Sequence, residues 1–250
     1  MSINADRVIA VRTGKTVYRD GDTVLKVFDS DYSKADILNE ALNQARIEET
    51  GLSVPRIIEV TRMDDRWAIR WEYAQGKTLQ QLLDEHPDRH SEYLKLLVEI
   101  QADVFSRRSP LLNRLRDKLD VMIGKSDLDA VTRYELHTRL DDMPQGKSVC
   151  HGDFNPSNVV IKTDGTATVI DWAHATQGDP AADGARSYLL FLQRGDREYA
   201  EEYLELFCVR TGMPKAHVQK WMPIVAAALS VKGTPAQRKF LLQWYSSTEK

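Results

Sequence analysis

Cysteine is nearly absent. Cys150 and Cys208 are the two in 250 residues, and they form no CxxC pair. That excludes a disulfide framework and a thiolate zinc site, and it fits a reducing cytoplasm. Neither sign of charge dominates. Thirty-four Lys and Arg stand against 37 Asp and Glu, a formal net charge of −3, so no nucleic-acid partner is expected. The clusters Arg107-Arg108 and Arg114, Arg116, Lys118 read as solvated helix faces. Long apolar runs are missing as well. The longest, near Ile224 to Leu229, falls far short of the ~20 residues that span a bilayer, and no membrane partner is expected. The start, MSINADRVIA, has neither the basic flank nor the apolar core of a secretory signal. Cys150 directly precedes His151, but adjacent side chains on an extended segment point to opposite faces, which argues against a nucleophile pair. Oligomeric state is left open.

What remains is ordinary for a globular chain, 42% hydrophobic and 28% charged. Its length allows one large domain or two lobes with separate cores. The first seventy-odd residues read as strands: Val8 to Arg12, then Thr16 to Arg19 and Thr23 to Phe28 around the turn Asp20-Gly21-Asp22. A helix follows, opened by Ser33 and Asp36, with Ile37, Leu38, Ala41, Leu42 and Ala45 at helical spacing and Gly51 as its stop. Val54 to Val60 and Trp67 to Tyr73 are extended again. After Gly76 the pattern turns helical: 78 to 86, a longer amphipathic run on Tyr93, Leu94, Leu97, Ile100 and Val104, then 111 to 123 and 127 to 142. Three more helical stretches, about 183 to 209 with a break near Gly195, 214 to 231, and 235 to 246, close the chain.

Between the helices lies HGDFNPSNVVIKTDGTATVID, residues 151 to 171. Asp164-Gly165 between Val159-Val160-Ile161 and Thr168-Val169-Ile170 is a hairpin signal. Such a hairpin makes neighbours of Asn158 and Asp171. Two hard oxygen ligands side by side, with the Asp153 carboxylate close by, suit Mg²⁺ and the phosphates it carries. The spacing Asp153, Asn158, Asp171 is that of a kinase catalytic loop.

HGDxxPxN, then Ile170-Asp171-Trp172, then Gly178-Asp179-Pro180 with Asp183, resembles the aminoglycoside phosphotransferase and choline kinase-like family of small-molecule kinases. The resemblance implies an α+β, bilobal protein-kinase-like fold. It puts a small β-rich N-terminal lobe at 1–73 and a larger, mainly helical C-terminal lobe at 74–250, with a hinge near 72–76 and a nucleotide in the crevice between them. It implies transfer of the γ-phosphate of ATP or GTP, with Mg²⁺, to a small-molecule alcohol such as an aminoglycoside, amino alcohol or sugar. By the same resemblance Asp153 is the catalytic base, Asn158 and Asp171 hold the metal, and Lys26 grips the phosphates. Glu40 orients Lys26, and Trp71 to Tyr73 correspond to the adenine-binding hinge. His151 and Asp183 hold the catalytic loop, and Trp172 packs beneath the site.

The residues themselves support the Lys26 and Glu40 assignments. Alternation puts Lys26 on the face of Val24 and Phe28, opposite Leu25 and Val27. Glu40 lies within an apolar helix stripe and needs a cation there. The phosphate-covering turn is atypical, Arg12-Thr13-Gly14-Lys15-Thr16 with one glycine. Gly14-Lys15-Thr16 is not a Walker A loop, because position 9 is Ile where that loop needs glycine. A nucleotide-binding pseudokinase is the rival reading, favoured by the poor glycine content and opposed by the five intact polar positions. A metal hydrolase on His151 and Asp153 would need further His ligands. Glu198, Glu201, Glu202 and Glu205 read as a solvated face, with attraction of a cationic amine as the alternative. Trp221 and Trp244 read as core.

Overall fold

The computed structural model describes residues 7–246. Residues 1–6, where the N-terminal lobe is expected to begin and where a secretory signal is not expected, and residues 247–250 lie outside the described residues.

In chain order the elements are β1 (Arg7–Arg12), β2 (Lys15–Asp20), β3 (Thr23–Phe28), α1 (Lys34–Glu48), β4 (Ile57–Met63), β5 (Arg66–Glu72) and β6 (Lys77–Thr78). Then come α2 (Leu79–Glu85), α3 (His90–Ser106), α4 (Leu115–Gly124), α5 (Ala130–Asp141), β7 (Ser148–Cys150), β8 (Val159–Ile161), β9 (Ala167–Val169) and β10 (Thr176–Gly178). The chain continues with α6 (Pro180–Arg194), α7 (Arg197–Thr211), α8 (Lys215–Ser230) and α9 (Pro235–Ser246). This is the expected α+β fold class, a sheet-rich N-terminal part and a helical C-terminal part.

The chain forms two compact units. One runs to Leu79 and takes in Ser157–His174, and the other holds Gln80–Pro156 and the chain from Ala175 onward. A division at 73/74 would group the β8–β9 hairpin with the helices. Hydrogen bonding ties it to the first unit instead, because β6 pairs with β8 and the Val169 N–H donates to Ser53 O at 3.0 Å.

The first unit is built on an antiparallel sheet in the order β1-β2-β3-β5-β4. Gly21, at φ +57°, supplies the left-handed backbone of the β2–β3 turn. The resulting register pairs Asp20 with Thr23 and Val17 with Lys26. The two sheet faces bury separate clusters: Phe28, Ile37, Ala41, Ile69 and Trp71 on one, Leu25, Val27, Met63 and Ala68 on the other. Ser33 caps α1 through its side chain. The buried face of α1 differs from the sequence expectation. It consists of Ile37, Glu40, Ala41, Asn43, Gln44 and Ile47, while Leu38 and Leu42 are exposed. Polar residues replace leucines there because they find partners, Glu40 with Lys26 and Gln44 with Pro55 O at 2.6 Å.

In the second unit α3 packs on α7, and α6 on α7 and α8. The apolar run near 224–229 lies in the C-terminal half of α8, buried from Ile224 to Ala228. Asp179 caps α6 with Pro180 behind it, and Gly195 ends it in left-handed conformation at φ +87°, so the expected 183–209 stretch is two helices. β7 and β10, neither evident in the sequence, pair antiparallel and stand on either side of residues 151–175 in the chain. Among the described residues no helix is long and apolar enough to cross a membrane.

Candidate active site

Lys26 and Glu40 form a buried ion pair, 7% and 5% exposed. The sheet aims Lys26 at α1, and the α1 face turned to the sheet carries Glu40. Asp171 joins them, its Oδ1 3.1 Å from the Lys26 ammonium. Burial acts to lower the Lys26 pKa, but the carboxylates of Asp171 and Glu40 outweigh it and raise it above the usual lysine value. The cation is therefore permanent at neutral pH. The Trp71 ring lies 5.2 Å from the same ammonium.

The hairpin accounts for Asp171. Val159 pairs with Val169, and Ile170 N–H donates to Asn158 O at 2.9 Å, so the residues entering β8 and leaving β9 are drawn together. Asp171 follows in left-handed backbone, φ +65°. That conformation costs roughly 1–2 kcal/mol in a residue other than glycine, though Asp bears it better than most. Strain of this kind concentrates at functional sites. Trp172 is buried beside it, its indole N–H on Val169 O at 3.0 Å, and Asn43 donates to Ala173 O at 3.3 Å. The amide oxygen of Asn158 and the carboxylate of Asp171 are hard ligands fit for Mg²⁺, which keeps most of its shell for waters and phosphate oxygens.

The residues expected at the hinge are partly committed within the protein. Tyr73 N–H donates to Asp22 O at 2.9 Å, Arg19 stacks 4.3 Å above its ring, and Glu72 is bonded to Arg56.

In the second unit Asp183, 4% exposed, accepts the amides of His151 at 2.9 Å and Gly152 at 2.7 Å. Gly152 sits at φ +76°, a turn that glycine alone makes without strain. Asp153 N–H donates to His151 Nδ1 at 3.2 Å. Asp183 and His151 thus fix the loop that presents Asp153. Burial pushes the Asp183 carboxyl up, against the pull of His151 and of the loop amides. Asp179 accepts from Ala181 N–H, His217 Nε2 and the Trp221 indole. It also lines a cavity of about 120 Å³ with Arg114, Arg116, Lys147 and Trp221, which contains none of the residues assigned to transfer.

Three further residues bear on the site without a signal in the motifs. Lys15 shares the sheet face of Lys26, and its pKa is lowered by burial and by the like charge of Lys26. Counting back from the Asp20-Gly21-Asp22 turn finds it, since Lys15 and Val17 pair with Phe28 and Lys26. Arg186 Nη2 donates to Asp153 Oδ1 at 2.8 Å. Lys118, expected on a solvated face, is instead drawn down to about pKa 7, first by burial and then by Arg186. No sequence spacing announces either contact, because α4 and α6 are far apart in the chain. His86 and His90 stand four apart, yet His90 is engaged with Pro87 O and Glu202. Among the described residues no group of three or more His, Cys, Asp or Glu is arranged to hold a metal.

A family model described as "Phosphotransferase enzyme family" matches residues 5–218. No curated protein sequence matches the chain. Among solved structures, a thermostable variant of aminoglycoside phosphotransferase APH(4)-Ia in ternary complex with ADP and hygromycin B is 15% identical, with TM-score 0.70 over 98% of this chain and 94% of that one. A choline/ethanolamine kinase family protein from Mesorhizobium loti is 15% identical, with TM-score 0.64 over 96% and 85%. An aminoglycoside-3'-phosphotransferase of type VIII is 17% identical, with TM-score 0.65 over 90% and 92%. At these identities the likeness is one of fold.

Proposed function

The chain belongs to the phosphotransferase enzyme family, and from that premise we propose that it moves the γ-phosphate of ATP or GTP to the hydroxyl of a small molecule. The observation that carries this reading is the Lys26, Glu40 and Asp171 cluster, a buried cation held by two carboxylates beside Asn158. Lys26 binds nucleotide phosphates, and Glu40 keeps its ammonium aimed. Asn158 and Asp171 would hold Mg²⁺, which when bound neutralises phosphate charge. Asp153 accepts the proton of the acceptor hydroxyl as its oxygen attacks the γ-phosphorus. The bond from that phosphorus to the bridging oxygen breaks, and the nucleoside diphosphate leaves with the electron pair. The protein supplies positioning and charge, the two effects phosphoryl transfer depends on most. Backbone groups around Trp71 and Tyr73 receive the base in this reading.

A coupled ADP-release assay with magnesium titration, run with ATP and GTP over amino sugars, sugars, amino alcohols and homoserine-like alcohols, tests the proposal. Magnesium-dependent, acceptor-stimulated release is expected. The single glycine of the Arg12–Thr16 turn favours the pseudokinase alternative, which predicts nucleotide binding without stimulated release.

A further inference from the structure

Asp153 lies among cations. Arg186 on α6 holds its Oδ1 at 2.8 Å, with the two side chains 21% and 28% exposed, so a solute can reach the pair. The Arg186 Nε–H is buried and meets no acceptor in the protein. Lys118 on α4 lies in the field of the same groups: Arg186 and Lys232 repel its charge, Asp183 and Asp153 attract it. Both carboxylates have a use, Asp183 on the loop amides and Asp153 as base. Two of the four α7 glutamates that could have drawn an amine are engaged elsewhere. Glu201 accepts from the Tyr188 hydroxyl at 2.7 Å and pairs with Lys215, and Glu202 faces His90 at 3.2 Å. All these groups belong to the second unit.

We propose that the acceptor is a small anionic alcohol, bearing a carboxylate or phosphate near the hydroxyl that is phosphorylated, with Arg186 and Lys118 binding the anion while Asp153 takes the hydroxyl proton. The proposal rests on the phosphotransferase reading above. A guanidinium fork grips planar carboxylate or phosphate oxygens through paired N–H donors. A cationic amine in the same place would meet the Arg186 guanidinium at short range. Because the Arg186 and Asp153 atoms are 2.8 Å apart, an acceptor that touches both carries its hydroxyl and its anion close together, as in a 2- or 3-hydroxy acid or a short polyol phosphate.

The test is a coupled ADP-release comparison of hydroxy-carboxylates, polyol phosphates, neutral polyols and amino alcohols with amino sugars, using the wild-type chain and Lys118→Gln. The expected result is a kcat/KM for the best anionic acceptor at least about tenfold above its neutral analogue. Lys118→Gln should lower the anionic rate more than the neutral one. The carboxylate and phosphate sets separate the two sources of negative charge. Equal or better use of amino alcohols or amino sugars would overturn the inference and leave the phosphotransferase reading standing. So would a Lys118→Gln loss of the same size for every acceptor, the mark of a structural role. Failure of every set to stimulate ADP release would overturn both.

Discussion

Glu40→Gln should cost stability and nucleotide use together. Its side chain is replaced at nearly constant volume, so the perturbation is the loss of one negative charge at a site 5% exposed. Removing one partner of a buried ion pair costs about 3–5 kcal/mol when the other charge is left uncompensated. Here Asp171 remains 3.1 Å from Lys26, which puts the loss at the low end, about 3 kcal/mol. At ~2–4 °C per kcal/mol for a chain of this size, Tm should fall by about 6–12 °C. Lys26 is then drawn to Asp171 alone, away from the phosphates, and kcat/KM for the nucleotide should drop by about 10²-fold, or ~2.7 kcal/mol of transition-state stabilisation. Thermal unfolding and ADP release at saturating acceptor read the two effects. The folded pKa of Lys26 is raised. Its stabilising contribution is therefore fully present below the unfolded value of about 10.4 and fades only as pH climbs through the folded one. The Tm gap between wild type and variant should then be the same at pH 7 and pH 9. An unchanged Tm with unchanged nucleotide KM would refute the reasoning, and a gap that closes by pH 9 would refute the electrostatic part of it.

Asp171→Ala should abolish magnesium-dependent nucleotide binding measured by calorimetry, and retained binding would remove it from the metal site. Lys15→Met should raise nucleotide KM by about tenfold, or ~1.4 kcal/mol, without lowering Tm, because it also relieves repulsion with Lys26; an unchanged KM would show that Lys15 touches no phosphate. Lys118, at about pKa 7, should lose its proton as pH rises from 6 to 8. It is faced by Arg186 and Asp183 from α6, Asp153 from the catalytic loop, and Lys232 beyond α8. An anionic acceptor should accordingly show a KM that rises across that range in the wild type and stays flat in Lys118→Arg. The sign for stability is opposite: the folded chain binds fewer protons than the unfolded one between about pH 7 and 10.4, so this group favours folding as pH rises there.

Local chemistry makes much of the fold legible. Asp20-Gly21-Asp22 and Asp164-Gly165 announce hairpins because their flanking residues are β-branched and their turns demand left-handed backbone. Lys26 and Glu40 can be paired from composition and period alone, since a charge in an apolar strand and another in an apolar helix stripe each need a partner, and they meet. Periodicity misplaces the buried face of α1, because it ranks Leu38 and Leu42 above Asn43 and Gln44, while burial follows available partners. β7 and β10, three residues each, are too short to show a period, and their pairing is set by tertiary packing. Arg186 reaches Asp153 from α6, and Lys118 on α4 lies in the field of both; one sequence records no such approach. On the proposal above, their positive charge selects an anion where the sequence leaves the acceptor open.

γ-Phosphoryl transfer with Asp153 as base leaves a covalent product that can be seen. Phosphorus-31 NMR of the protein with MgATP and an acceptor that stimulates ADP release tests it most directly. A phosphomonoester resonance should grow in step with ADP and be reduced at least about 10²-fold in Asp153→Asn while nucleotide affinity is kept. Inorganic phosphate in place of the monoester, or the same monoester formed at the same rate by Asp153→Asn, would contradict it.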